Sequence, residues 1–391
     1  MIEIKEKEKC CGCSACESIC PKKSISMIAD EEGFLYPKVN LNTCIDCSLC
    51  EKVCPMEKSI QTSISEAYIG RTTNSNIINT SSSGGVITSI VETVLKNDWI
   101  VYGAIYNKEF NVIHKDIGKI EDISKLSGSK YVQSNLAEIY IKCKEDLSKR
   151  NVLFIGTPCQ VAGLKNYLIK EYSNLFTIEF VCHGVASPAV WNSYKQYQEK
   201  IHNSKISNVN FRSKFIGYRS TGILIEFEND KKYFASPRTD FMLKAFYNDL
   251  IGRDSCYNCP FKGNNRFSDL VVFDCWNPSS IVSSIKDDNM GYSKCLVFTN
   301  KGKELLTLSK ENLILYKTKS EDIIPTRYGN AYAYSMKKPI HKNDYWEHYK
   351  RNTYGKSQKE ILKISNRDVI LEKSKYILNK MRILSLITKN K

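Results

Sequence analysis

Short apolar runs alternate with longer amphipathic ones through the middle of this chain. "AYIGRT", "WIVYGAIY", "NVLFIGT" and "LFTIEFVC" are nearly continuous in apolar, β-branched and aromatic residues, as strands covered on both faces require. "GGVITSIVETVLKN", "NLAEIYIKCKEDLSKR", "PCQVAGLKNYLIKEY" and "SPAVWNSYKQYQEKI" instead repeat their apolar positions at helical spacing, each with one face to bury. That alternation predicts an α/β layer with a largely buried sheet. From about residue 206 the texture changes to "VNFRSK", "GILIEFEND" and "KKYFAS", a strand meander, followed by a helix in "DFMLKAFYNDL". The first 60 residues follow neither pattern: "ISMIADEEGFLYPKVNL" is a hairpin-like link between two cysteine runs, and "EKSIQTSISE" is a polar linker out of them. The expected organisation is a small module at 1–60, an α/β domain at 61–205, a mixed, strand-rich domain at 206–340 and a basic helical tail at 341–391, α+β overall.

At 391 residues the chain is too long for one core, and 42% hydrophobic residues suffice for packed domains. No apolar run approaches the ~18 residues of a membrane span. The opening "MIEIKEKEKC" lacks the apolar stretch of a secretory signal, so sixteen cysteines point to a reducing cytoplasm and metal ligation rather than disulfides. The net charge of +15 is uneven: residues 1–60 hold eight Lys against ten acids, and residues 341–391 thirteen Lys or Arg against five. A basic body steers acidic partners toward it, small electron carriers and phosphorylated substrates among them. No helix-turn-helix, zinc-finger or RNA-recognition pattern accompanies the charge, so nucleic acid is not expected.

The cysteines change the picture most. "CCGCSACESICP" supplies Cys10, Cys13, Cys16 and Cys20 in C-x2-C-x2-C-x3-C-P spacing, and "CIDCSLCEKVCP" repeats it with Cys44, Cys47, Cys50 and Cys54. Two such runs are the signature of a bacterial-type ferredoxin with two 4Fe-4S clusters, the fourth cysteine of each run serving the other cluster. The expected sets are Cys10, Cys13, Cys16 and Cys54, then Cys44, Cys47, Cys50 and Cys20. Zinc sites use separated CxxC pairs instead. Cys11 falls outside the pattern. The first run is the expected point at which external electrons arrive.

Three further sites are weaker on spacing alone. Ser81 to Gly85 in "SSSGGVITSIVETVL" precede a helix, where freed backbone amides form a phosphate cradle or simply an ordinary cap. Cys159 in "GTPCQVAGL" and Cys182 in "EFVCHGVASP" end successive strands, where open α/β sheets place their sites. With the pair Cys256 and Cys259 in "RDSCYNCPFKG" they suffice for a third 4Fe-4S cluster; a zinc site, a redox-active CxxC or buried free thiols are the alternatives. Cys143, Cys275 and Cys295 read as small buried hydrophobes. In the tail, Ile370, Ile377, Leu378, Met381 and Leu384 recur at helical spacing among Lys373, Lys375, Lys380 and Arg382. Such a helix packs on the protein's own surface or lies on a membrane or partner.

"SSSGG", "GSKYVQS", "GTPCQVAGL", "VCHGVASPAVW", "RDSCYNCPFKG" and "FSDLVVFDCW" occur in that order. Together they resemble the coenzyme F420 hydrogenase/dehydrogenase beta-subunit family, in a bacterial form with a fused N-terminal ferredoxin domain, over residues 1 to about 340. The resemblance implies FAD beside an internal 4Fe-4S cluster. It implies FAD contacts at Ser81, Ser82, Ser83, Gly84, Gly85, Lys130, Tyr131, Gln133 and Ser134, and ligands of the third cluster at Cys159, Cys182, Cys256 and Cys259. Where the family keeps Gly-Asp and Phe, this chain has Phe273, Asp274 and Cys275, and Asn277 stands for a Gly, which leaves Cys275 as an alternative thiolate ligand. Bacterial relatives resemble proteins encoded with surface-polysaccharide assembly enzymes. The expected protein is therefore a cytoplasmic iron–sulfur flavoprotein oxidoreductase working between ferredoxin or coenzyme F420 and an organic, glycan-related substrate. The alternative is a non-enzymatic electron-transfer subunit of a larger complex. His183 is the candidate proton donor, with support of the neighbouring cluster as its other role.

Overall fold

The computed structural model describes residues 1–324 and 330–380. The apolar runs become the centre of an eight-stranded sheet. After a two-stranded hairpin of β1 (Ile25–Ala29) and β2 (Leu35–Val39), the chain forms β3 (Glu66–Thr72), β4 (Ile100–Tyr106), β5 (Val112–Ile117), β6 (Val152–Gly156) and β7 (Leu175–Phe180). A meander follows, with β8 (Ile206–Ser213), β9 (Gly222–Phe227) and β10 (Lys232–Ala235), then β11 (Leu270–Cys275), β12 (Tyr292–Val297) and β13 (Leu313–Thr318). The large sheet runs β13-β3-β12-β11-β7-β6-β4-β5, and the meander is a separate antiparallel sheet. Strands β4, β6, β7 and β11 are parallel neighbours; β5 on one side and β12, β3 and β13 on the other are each joined by antiparallel pairing.

The sheet does not respect a boundary at residue 206. Strands β11 to β13 return to it, and β12 inserts between β3 and β11. A parallel crossover pairs strands far apart in sequence, so local patterning identifies the strands without showing which sheet they join.

Both faces are covered, as the continuous apolar strands demand. One carries the helices Val86–Lys96 and Asn300–Leu308 over Val101, Leu153, Ile178 and Leu270. The other carries Ile139–Asp146 and Pro158–Leu168 over Tyr102 and Phe154, and the same cluster includes Cys13, Ala15 and Val53 from the N-terminal module. That module is thus part of a shared core, not a tethered bead. Its hairpin is also pinned at the tip. Ser187 Oγ and Ala189 N–H donate to the Glu32 carbonyl at 2.5 and 3.3 Å. Gly33 has φ +80°, and a Cβ there would stand 2.7 Å from Ala189 N, so only glycine lets the two backbones meet.

Much of the tail is core as well: Tyr345, Trp346, Tyr354 and Leu362 pack with the meander and the helix Pro188–His202. The last helix, Asn366–Lys380, docks by its polar side. Glu372 accepts from Ser236 N–H and Thr239 Oγ, and Tyr376 stacks on Phe215, while Ile370, Leu371 and Ile377 face solvent. Met381, Arg382 and Leu384 lie outside the described residues. Among the described residues no helix is long and apolar enough to cross a membrane.

Candidate functional site

The two cysteine runs fold as local repeats. Each ends in a short helix, Ala15–Ile19 or Leu49–Lys52, whose preceding serine is left-handed (Ser14 φ 59°, Ser48 φ 56°), and Gly12 and Asp46 repeat the feature two residues earlier. These turns wind each run around a cavity. One cavity is lined by Cys10, Cys13, Cys16 and Cys54, the other by Cys44, Cys47, Cys50 and Cys20. The structure thus brings together the two crossed sets. Among the described residues no three potential ligands converge on a point that would suit a single ion. Four thiols spaced around a cavity instead fit a multi-iron cube. Backbone N–H groups of Ile2 and Ser24 reach Cys50 and Cys20 Sγ at 3.3 Å, and hydrogen bonds to the sulfurs are one determinant of potential. Burial, then the neighbouring Cys10 and Cys54, push the Cys16 thiol up.

The body holds the second thiol group. Parallel strands β6 and β7 end at one edge of the sheet, delivering Cys159 in the first turn of the helix Pro158–Leu168 and Cys182 just past β7. Thr157 and Gln160 cap that helix reciprocally, and Thr157 Oγ lies 3.2 Å from Cys159 Sγ. Cys256 and Cys259 arrive on the turn after Arg253. Cys159 is an electrostatic neighbour of Cys182, Cys256 and Cys259 alike, and burial pushes all three thiols up, Cys256 to about 12. The four residues named from the resemblance therefore lie in one neighbourhood of the fold. Cys143, Cys275 and Cys295 do not join them; each is fully buried in an apolar cluster.

The module and the body meet at Cys11. Its side chain packs in one cluster with Cys13 of the module and Cys159 and Cys259 of the body. Gly163 makes this approach possible, because a Cβ there would fall 2.9 Å from Cys13 Cβ and Sγ. The first run, the expected point of arrival for electrons, faces the interior; the exposed thiol is Cys47 of the second run. Cys11, Gly163 and Arg253 were missed by spacing arguments. The Cys-Cys doublet and a glycine inside a helical pattern were the available signals.

His183 sits beside the body thiols. Its Nε2 pairs with Asp249 Oδ1 at 2.7 Å, and Asp249 Oδ2 also accepts from Lys337 N–H. Phe246 meets the ring edge-on. The arrangement orients an imidazole that remains partly open to solvent.

The residues expected to contact FAD separate into two groups. Gly84 is tied to the sheet: its N–H donates to Ser293 Oγ and its carbonyl accepts from Thr72 N–H, and a Cβ would collide with Gly70 O at 2.6 Å. Gly85, at φ +77°, caps the helix Val86–Lys96. Ser83 Oγ donates to the Tyr292 carbonyl, and Ser82 Oγ accepts from Ser129. Ser81 Oγ is buried with no partner. Lys130 is half-buried, its ammonium held by three carbonyls and the Tyr106 ring, and loss of water lowers that ammonium to about 7. Lys214, which sequence reasoning missed, donates to Ile78, Ser83 and Met290 carbonyls and is likewise lowered to about 7 by burial, with Arg71 and Arg212 adding repulsion. Among the described residues neither ammonium forms an ion pair. An unpartnered buried hydroxyl and two desolvated ammonium groups fit a phosphate-bearing cofactor. The rest point elsewhere. Tyr131 stacks on Phe246 and meets the Tyr247 hydroxyl. Ser134 Oγ is shared between His114 Nδ1 and Gln160 Nε2. Gln133 Oε1 accepts from Arg253, and its Nε2 donates to the Cys11 carbonyl.

Comparisons with known proteins agree with this layout. Residues 9–58 match the 4Fe-4S dicluster domain, residues 67–140 the N-terminal and residues 149–322 the C-terminal part of the coenzyme F420 hydrogenase/dehydrogenase beta subunit. No curated protein matches. Among solved structures, a chain of the F420-reducing [NiFe] hydrogenase complex from Methanosarcina barkeri is similar at 16% identity, over 66% of this chain and 83% of that one, with a TM-score of 0.45. The dicluster match makes this an iron–sulfur protein of an oxidoreductase family. The two beta-subunit matches together span well over half of the residues, and the chain belongs to the coenzyme F420 hydrogenase/dehydrogenase beta-subunit family, with a 4Fe-4S dicluster domain at its N-terminus.

Proposed function

We propose that this chain is an FAD-dependent oxidoreductase that moves electrons between ferredoxin, or a similar acidic carrier such as coenzyme F420, and an organic substrate. When bound, 4Fe-4S clusters exchange electrons singly, and FAD pools two for release as a hydride equivalent. Cys20, Cys44, Cys47 and Cys50 hold the outer cluster, next to solvent at Cys47. Cys10, Cys13, Cys16 and Cys54 hold a second against the body, and Cys159, Cys182, Cys256 and Cys259 hold a third. Lys130, Lys214 and Ser81 bind the phosphates of FAD. His183, oriented by Asp249, moves a proton at Nε2 or supports the adjoining thiols. The observation that carries the reading is the Cys11 junction, where thiols of the module and thiols of the body pack in one cluster.

The substrate is proposed to be glycan-related, and the exposed Ile370, Leu371 and Ile377 beside Lys373 and Lys375 support peripheral contact with an anionic membrane. The second reading is an electron-transfer subunit within a larger complex, favoured by the family's designation as a beta subunit. Anaerobic purification tests the first reading: about twelve irons in three clusters and one FAD are expected. Bound iron without flavin refutes it. Turnover of candidate sugar substrates by the isolated chain, with reduced ferredoxin, separates an independent enzyme from a subunit.

A further inference from the structure

Arg253 is buried to 0% exposure. A guanidinium keeps its charge in any protein environment. A charge taken out of water is strongly destabilising unless something compensates it. Among the described residues no carboxylate lies within ion-pair reach of Arg253, and the adjacent Asp254 is engaged by Lys342 at 2.6 Å. The nitrogens go elsewhere: Nε to the Cys10 carbonyl at 2.8 Å, Nη1 to Gln133 Oε1 at 2.9 Å, and Nη2 to the Leu35 carbonyl at 2.9 Å and Cys10 Sγ at 3.5 Å. The Tyr36 ring covers one face at 4.1 Å. Gly12 leaves room for this, since a Cβ there would sit 3.0 Å from Nη1. Among the described residues the other cavity has no buried counterpart. Its wall carries Lys22, which is exposed and screened by water, and the exposed terminal ammonium of Met1, which is paired with Asp46 and Glu51.

We infer that the counter-charge of Arg253 is the thiolate set of Cys10, Cys13, Cys16 and Cys54. On this inference Arg253 is a positioning residue that makes the cluster held there easier to reduce than the cluster held by Cys20, Cys44, Cys47 and Cys50. The inference rests on the iron–sulfur reading above. Reduction adds one electron from an external one-electron donor and makes the site more negative by one charge, with no bond broken and no proton required. A fixed positive charge at hydrogen-bond distance from a ligating sulfur favours the more negative state, and net charge and sulfur hydrogen bonds both set cluster potential. Electrons arriving at the exposed cluster are thereby drawn inward, toward Cys11 and Cys159.

The test is an anaerobic redox titration of the full chain with dithionite and mediators, followed by electron paramagnetic resonance. Arg253→Met is expected to lower the reduction equilibrium of one cluster at least tenfold, 59 mV for a one-electron couple, with full iron and the other clusters unmoved. Arg253→Lys, which keeps the charge, is expected to stay within a few-fold of wild type. Unchanged potentials in an iron-replete Arg253→Met protein overturn the inference. If that variant loses iron or fails to fold, Cys47→Ala decides instead. It removes the outer cluster at an exposed ligand, and of the two ferredoxin-type signals the one that survives must be the higher in potential. Survival of the lower one overturns the inference. A wild-type protein without two ferredoxin-type clusters sinks the iron–sulfur reading itself, which iron and sulfide assays register separately.

Discussion

The ion pair between Glu179 and Arg266 lies beneath the body thiols and offers the most quantitative test of how they are held. Glu179 is the next-to-last residue of β7, three residues before Cys182, and Arg266 follows Cys259 by seven. Both are buried, with Nη1 2.8 Å from Oε1. Arg266 also donates to the Gly263 and Tyr332 carbonyls and stacks on the Tyr332 ring. It therefore clamps the loop carrying Cys256 and Cys259 to the strand that delivers Cys182. Burial pushes the Glu179 carboxyl above its usual range, and the Arg266 charge opposes that push. Arg266→Met removes the opposition and leaves a buried, unpaired carboxylate, a loss of about 3–5 kcal/mol. At roughly 2–4 °C per kcal/mol the melting temperature should fall on the order of 10 °C.

The loss should depend on pH with a definite sign. Without Arg266 the folded carboxyl binds its proton well above the unfolded value of about 4.3. Between those two values the folded state holds more protons than the unfolded one, so stability falls as pH rises, by up to about 1.4 kcal/mol per unit. The gap between variant and wild type should therefore widen from pH 5 to pH 7 and flatten once the folded carboxyl has ionised. Glu179→Gln combined with Arg266→Met leaves no charge to desolvate and should recover most of the loss. Anaerobic thermal melts at both pH values, with iron assayed on each sample, make the measurement. Equal losses in the single and double variants, or a gap independent of pH, refute the buried-charge account.

Three other outcomes are expected. Cys256→Ser with Cys259→Ser should lower bound iron by about four while the ferredoxin-type signals survive; unchanged iron would remove these residues from the ligand set. FAD affinity should weaken as pH rises above about 7, where burial makes Lys130 and Lys214 lose their protons in the flavin-free protein. Bound phosphate restores those protons, so binding takes protons up, and fluorescence titrations at pH 6, 7 and 8 should show the decline; a flat profile moves the phosphates elsewhere. Gly163→Val should destabilise the protein by about 1–3 kcal/mol through overpacking against Cys13 and perturb the cluster of the first run while sparing the other, as judged by melting and resonance spectra. Wild-type behaviour of both would place the module farther from the body.

The cysteine runs were legible because their chemistry is local. Two-residue spacings wind a chain around a cube, and the crossed fourth ligand is part of the same pattern. The strands β4, β6 and β7 were legible for a related reason: a strand covered on both faces must be apolar at every position. The meander and the helices followed from periodicity. Sequence also placed Cys159 and Cys182 at strand ends, and it kept Cys143, Cys275 and Cys295 apart as buried thiols.

What tertiary structure alone decided are contacts between residues far apart in the chain. The return of β11 to β13 to the sheet depends on pairing across long separations, which no local period encodes. Cys11 reads as a bystander because the run needs no fifth thiol, yet folding sets it between Cys13 and Cys159. The resemblance implies FAD contacts at Gln133 and Ser134, but folding engages their amide and hydroxyl with Arg253 and His114. Lys214 carries no motif, and its importance comes from losing water among carbonyls. Which cysteine run faces outward follows from the side on which the hairpin tip and the helix at Ala15 dock. Ligand identity is a property of side-chain type and spacing along the chain. Proximity, desolvation and the direction of electron flow depend on how separate segments pack, and packing is decided only when the whole chain folds.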